Sequence, residues 1–172
     1  IVADMVDLDA VEVNFDGITY AKGASTLRQL VAWVGEEQFI AGLRTYFQKH
    51  AWGNTQLHDL LVELETASGR DLKAWVGKWL ETAGVNTLRP EIEVVDGKYS
   101  SVVVIQETPV APDGVAQITR PHRIRIGLYD KAGQDVVRTQ AIEIDVDGPR
   151  TPVAELVGQP VSDLLLLSLI HI

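Results

Sequence analysis

Tyr20, Lys22 and Gly23 stand together in the stretch ITYAKGASTL, residues 18–27. A tyrosine phenol is a protonated hydrogen-bond donor at neutral pH. Gly23 falls inside an apparent helix, where glycine costs about 1 kcal/mol relative to alanine. A bare backbone is expected there if another backbone, a helix or a cleft wall, comes close. By composition and spacing alone, Tyr20 is a half-buried aromatic in a first helical turn, and Lys22 a partner for a nearby acid.

The other residues able to do chemistry do not cluster. His50, His58, His122 and His171 have no second histidine three or four positions away, so the chain has no H-E-x-x-H metal pair. There is no G-x-S-x-G elbow, Walker loop or dinucleotide fingerprint either. His50 is expected at a helix C-terminus, where its partial positive charge suits the dipole. His58 reads as a surface residue, and His122, alternating with Arg123 and Arg125 beside a strand, as solvated. Asp4, Asp7, Asp9, Glu12 and Asp16 read as a solvated acidic segment. Trp33, Trp52, Trp75 and Trp79 read as core and loop packing. None of these patterns assigns a reaction.

The elements that would position these residues fall into two halves. Leu27, Leu30, Val31 and Val34 recur at i, i+3, i+4 and i+7 and predict a helical face, with Asp16 as cap and Gly35 as stop. Glu36 and Glu37 open a second helix with Phe39, Leu43, Phe47 and His50 inward. Thr55 is expected to cap a third, with Leu57, Leu60, Leu61 and Leu64 inward and Gly69 as its stop. Asp71 then caps a fourth, with Leu72, Trp75, Val76, Trp79 and Leu80 on one side and Gly84 at its end. Four antiparallel helices with short loops form one unit. After Pro90 the period drops to two, in EIEV, SVVVI, RIRIGLY and AIEIDV, with turn residues between them and a tight hairpin at Asp96-Gly97.

The expected fold is therefore α+β, a helical subdomain over 1–87 followed by an antiparallel β-sandwich over 88–167. The last strand is placed at Leu164 to Leu167. Residues 168–172 of the apolar ending LLLLSLIHI read as a non-native tail, a frameshift or assembly scar. With neither an initiator Met nor a signal peptide before Ile1, the chain reads as a fragment. Its 172 residues suffice for one domain or two small ones. A net charge of −9 repels phosphate backbones and argues against nucleic acid as a partner. The absence of cysteine removes disulfides and thiol chemistry and fits a reducing, cytoplasmic compartment. No apolar run reaches about 18 residues, so no helix is expected to span a membrane.

The order of residues says more. FDGITYAKGASTLRQL resembles the Y-x-K-G-A segment of the aminopeptidase N family of zinc metallopeptidases, the gluzincins, and its bacterial members above all. The likeness continues through GEEQFIAGLRTYFQKHAWGN and DLLVELETASGRDLKAWVGKWLETAG, from about Ile1 to Gly84. It includes Tyr20, Lys22, Gly23, Gly35, Gly42, Tyr46, His50, Gly69, Trp75 and Trp79 in order. AGVNTL departs from the family's usual ending at Val85 and Asn86.

The resemblance implies the C-terminal part of a thermolysin-like catalytic domain and, after it, a β-sandwich domain. It also implies a zinc enzyme that hydrolyses N-terminal residues from peptides. In the family the tyrosine of this motif projects into the active site, and the matching residue is Tyr20. There it shares with the metal the charge on the oxygen of the attacked carbonyl. The zinc ligands, the general-base glutamate and the segment gripping the substrate's amino group lie upstream in the family, and a helical domain lies downstream. None has a match here, so the isolated chain is expected to hold no zinc and to be inactive. Its partners would be peptide substrates and those missing parts. Two other readings stay open, a non-catalytic relative that keeps the fold for binding and an unrelated interaction module.

Overall fold

The structure is a computed structural model that describes residues 6–82, 84–108 and 118–169. Helices come first: α1 (Leu8–Asn14), α2 (Gly17–Val34), α3 (Glu36–Lys49), α4 (Leu57–Ser68) and α5 (Lys73–Leu80). Strands follow: β1 (Thr87–Val95), β2 (Lys98–Glu107), β3 (His122–Ala132), β4 (Asp135–Val146), β5 (Arg150–Pro152) and β6 (Leu164–Leu169). The fold is α+β, in two units that divide between Thr82 and Ala83.

Helix ends follow local chemistry. Asp16 has an extended backbone, and its Oδ1 accepts from the Thr19 N–H at 2.7 Å, meeting one of the unpaired donors of the first turn. Gly35 ends α2 and starts α3, donating to the Val31 carbonyl and accepting from the Phe39 N–H, each at 2.9 Å. This requires φ +92°, and a Cβ would stand 2.5 Å from Gln38 Oε1, so only glycine fits. The cap of α4 is Gln56 rather than the expected Thr55. Asp59 accepts from the Gln56 N–H at 2.8 Å, and Thr55 instead shares a hydrogen bond with the Tyr46 hydroxyl at 2.6 Å. The acidic segment ahead of Asp16 holds a short helix, α1, which Asp7 caps through the Ala10 N–H.

The helical core joins Leu30 and Val34 of α2, Leu64 of α4, Leu72 just before α5 and Trp75 of α5, with Phe39, Leu60, Leu61, Val76 and Trp79 packed around them. The Arg70 guanidinium lies 4.4 Å over the Trp33 ring, a cation–π contact. Three expected inward residues, Leu27, Phe47 and Leu57, are exposed, and Trp52 is fully exposed. On α3 the cause is a close approach of backbones. A Cβ at Gly42 would lie 2.8 Å from Leu64 Cδ2 and 3.1 Å from both Leu64 Cα and the Glu63 carbonyl. The covered apolar side chains of α3 are accordingly Phe39, Leu43 and Tyr46, beside Gly42, and Phe47 faces water. The approach expected at Gly23 is absent among the described residues, where a Cβ would meet nothing within 4 Å.

In the second unit two three-stranded antiparallel sheets, ordered β1-β2-β5 and β4-β3-β6, share one core. Val102 and Val104 of β2 meet Ile124, Ile126 and Leu128 of β3 and Ile144 and Val146 of β4. Asp96 and Gly97 both have positive φ, 51° and 71°, as a two-residue type I′ hairpin requires. At one end the buried Gln106 amide donates to the carbonyls of Arg120 and Gly148 and accepts from the Arg120 N–H, tying three chain passes together. β6 runs two residues past the expected Leu167, with Ser168 opposite Arg125 and Leu169 opposite Ile124. Residues 170–172 lie outside the described residues.

His122, expected to be solvated, is buried. Period two explains this: Arg123 and Arg125 point outward to Asp145 and Glu143, each at 2.7 Å, which turns His122 inward beside Ile124 and Ile126. Burial, and then the charge of Arg120, pushes its pKa down to about 4 from an ordinary 6.5.

Two measurements check these features. Gly42→Ala should destabilise the helical unit by up to about 2 kcal/mol, because overpacking costs about 1–3 kcal/mol and helix propensity returns about 1. Gly23→Ala should be neutral or stabilise by up to about 1 kcal/mol. Urea unfolding followed by circular dichroism compares them, and equal effects would contradict the close approach. For His122 the folded pKa lies below the unfolded one, so its contribution is present above pH 6.5 and lost as pH falls toward 4. Relative to His122→Gln, the wild type should lose about 2 kcal/mol between pH 7 and 5. Arg150 and Arg125 hold the carboxyls of Glu91 and Glu143 below the usual range, so those groups titrate at lower pH. Parallel profiles for the two proteins would contradict the burial of His122.

Candidate active site

The candidate site is the start of α2. Phe15 and Asp16 alone separate α1 from α2, and the Phe15 N–H closes α1 on the Glu12 carbonyl at 3.2 Å. The Asp16 side chain then takes the Thr19 N–H, and its carbonyl takes the Tyr20 N–H at 3.3 Å. Tyr20 therefore stands on the first turn, 61% exposed. Its ring meets the Phe15 ring edge-to-face, with centroids 5.5 Å apart and planes at 81°. The hydroxyls of Tyr46 and Tyr99 are committed to Thr55 and Ser162. That of Tyr20 has no partner among the described residues. Lys22 is exposed nearby, with no ion pair among the described residues.

The histidines do not join this site into a metal centre. His50 caps the C-terminus of α3, its N–H on the Tyr46 carbonyl at 3.0 Å. His58 is exposed in the first turn of α4, His122 belongs to the sandwich core, and His171 lies outside the described residues. Asp7 and Asp16 serve as helix caps, Asp9 and Glu12 are exposed, and Asp4 lies outside the described residues. No group of three or more His, Cys, Asp or Glu able to hold a metal ion exists among the described residues. A cleft of about 740 Å³ beside α4 and α5 is lined by His58, Leu61, Glu65, Arg70, Lys73 and Glu81 among others, and does not include Tyr20. Phe15 was not marked by composition. Its signal is positional: it precedes the cap, and Tyr20 is the fourth residue after the cap.

The sequence model of the Peptidase family M1 domain matches residues 2–79. Aminopeptidase N of Streptomyces lividans is 56% identical over 172 residues, covering 98% of this chain and 20% of that protein. The chain belongs to the aminopeptidase N family. The alanine/arginine aminopeptidase of Saccharomyces cerevisiae is 32% identical over 134 residues, 74% of this chain and 15% of that protein. The crystal structure of Legionella pneumophila aminopeptidase A in complex with aspartic acid superposes with a TM-score of 0.62 at 21% identity, over 81% of this chain and 15% of that one. At that identity the likeness shows the fold. The chain thus spans about a fifth or less of the length of these relatives. The M1 match covers Tyr20 and its whole helical surround. Among the described residues no helix is long and apolar enough to cross a membrane.

Proposed function

We propose that this chain is part of a zinc-dependent aminopeptidase that hydrolyses N-terminal residues from peptides, and that Tyr20 is its catalytic residue here. The observation carrying this reading is the exposed Tyr20 ring with an uncommitted hydroxyl, inside the segment that matches the M1 domain. A packing role would bury the ring. Hydrolysis of a peptide bond passes through a tetrahedral centre whose oxygen gains negative charge. A phenol hydroxyl held on a capped helical turn donates a hydrogen bond to that oxygen without first having to reorganise.

Among the described residues of this chain no group fits a zinc site. Zinc, the general base and the grip on the substrate's amino group would come from parts of the enzyme outside this chain. On this reading the helical unit is the C-terminal part of a thermolysin-like catalytic domain and the β-sandwich is the domain after it. The chain alone would hold no stoichiometric zinc and would be inactive. A cytoplasmic setting suits its lack of cysteine.

The test is Tyr20→Phe in the full-length enzyme, which removes one hydroxyl and keeps the ring. kcat should fall by about two to three orders of magnitude, roughly 2.7–4 kcal/mol, with KM nearly unchanged. The melting temperature should scarcely move, because the ring is exposed. Steady-state kinetics on an aminoacyl anilide and a melting curve decide it. A Phe variant keeping more than about a third of wild-type kcat would remove Tyr20 from the chemistry.

A further inference from the structure

Counting from the cap, Asp16 is the N-cap of α2, Thr19 its third residue and Tyr20 its fourth, with Phe15 directly before the cap. A contact between the residue before the cap and the fourth helical residue is a hydrophobic staple, which fixes the angle at which the chain enters the helix. The Phe15–Tyr20 pair is such a staple, at 5.5 Å and 81°, a favoured aromatic geometry. Two features separate it from an ordinary packing contact. Both rings are largely exposed, 72% for Phe15 and 61% for Tyr20, so the contact removes little apolar surface from water. The two-residue link, closed by hydrogen bonds to Glu12 on one side and from Thr19 on the other, leaves little slack in where the Phe15 ring can go.

Resting on the reading of Tyr20 given above, we propose that Phe15 is a positioning residue: its ring holds the Tyr20 side chain in the one rotamer from which the hydroxyl reaches the oxyanion. Phe15 itself touches no reacting atom. Tyr20 has two side-chain torsions before its hydroxyl, and an exposed ring without a neighbour samples several staggered χ1 wells. Swinging between wells moves the hydroxyl by several ångströms, whereas misplacement of about 1 Å is enough to cost a large factor in rate. The edge-to-face contact removes that freedom on one side, and the capped backbone fixes the base from which the ring projects.

The test compares full-length enzymes carrying Phe15→Ala, Phe15→Tyr, Tyr20→Phe and the Phe15→Ala/Tyr20→Phe pair. Phe15→Ala should lower kcat about tenfold, equivalent to about 1.4 kcal/mol, with KM within about twofold. Phe15→Tyr, which keeps a ring at the same place, should restore kcat to within about twofold of wild type. In the Tyr20→Phe background, Phe15→Ala should add less than about a twofold loss, because no hydroxyl remains to be aimed. Independently of activity, three-bond couplings to Tyr20 Cγ in the 172-residue chain should report one dominant χ1 rotamer, and rotamer averaging after Phe15→Ala. Wild-type kcat in Phe15→Ala, or equal losses in both backgrounds, would overturn the positioning role and leave the role of Tyr20 intact. Wild-type kcat in Tyr20→Phe would overturn the role of Tyr20 and this inference with it. Should Phe15→Ala not accumulate folded, Phe15→Leu replaces it, with a smaller loss expected and the same dependence on the Tyr20 hydroxyl.

Discussion

An α-helix leaves its first four N–H groups without partners inside the helix, and the candidate site sits on such a turn. What holds α2 elsewhere is remote. Leu30 and Val34 are buried against α4 and α5, and at about 1.5 Å of rise per residue Leu30 is about 15 Å along the axis from Tyr20. The core therefore fixes the direction of α2 and leaves its first turn to local bonds. The Asp16 carboxylate on Thr19, the Asp16 carbonyl on Tyr20 and the Phe15 ring against the Tyr20 ring supply them. If this turn frayed, the helical unit would keep its core and lose the placement of its one candidate catalytic hydroxyl.

The direction of α2 depends in turn on two glycines doing different things. Gly35 supplies a backbone conformation, since it must end one helix and begin the next at φ +92°. Gly42 supplies absence of bulk, letting α3 lie against Leu64 and the Glu63 carbonyl. The first was legible in the sequence because the stop and the acids after it are neighbours along the chain. The second was not. Gly23 and Gly42 look alike as glycines inside helical patterns, and only the presence of α4 beside one of them tells them apart. The same limit explains Phe47, whose apolar character matched the helical period while the contact face of α3 was set by Gly42. His122 was legible in principle: the alternation that sends Arg123 and Arg125 to outer-face carboxylates sends the residue before them inward.

The candidate site was legible in another way. No count or spacing marks a lone tyrosine as catalytic, and Tyr20 was singled out only because the order of residues around it resembles a family motif. The structure adds an exposed ring, a hydroxyl uncommitted among the described residues, and Phe15 at its edge. Those features depend on side-chain placement that a motif does not contain. In the sandwich unit, by contrast, the period-two pattern largely determined the core, because each strand has one buried and one wet face, and the type I′ turn at Asp96-Gly97 follows from two residues.

The central claim is that the Tyr20 hydroxyl acts on the transition state and not on bound substrate, and inhibitor binding tests this without relying on turnover. A phosphinic pseudopeptide carries a tetrahedral, negatively charged group where the reaction places its oxyanion, whereas a free amino acid product does not. Calorimetric affinities of both should be measured for full-length enzyme with Tyr20 and with Phe at that position. The account predicts that the phosphinic ligand loses about a hundred- to a thousandfold in affinity with Phe, in step with the loss in kcat/KM, while the amino acid binds both enzymes equally. Equal affinity of the phosphinic ligand for the two enzymes would contradict it.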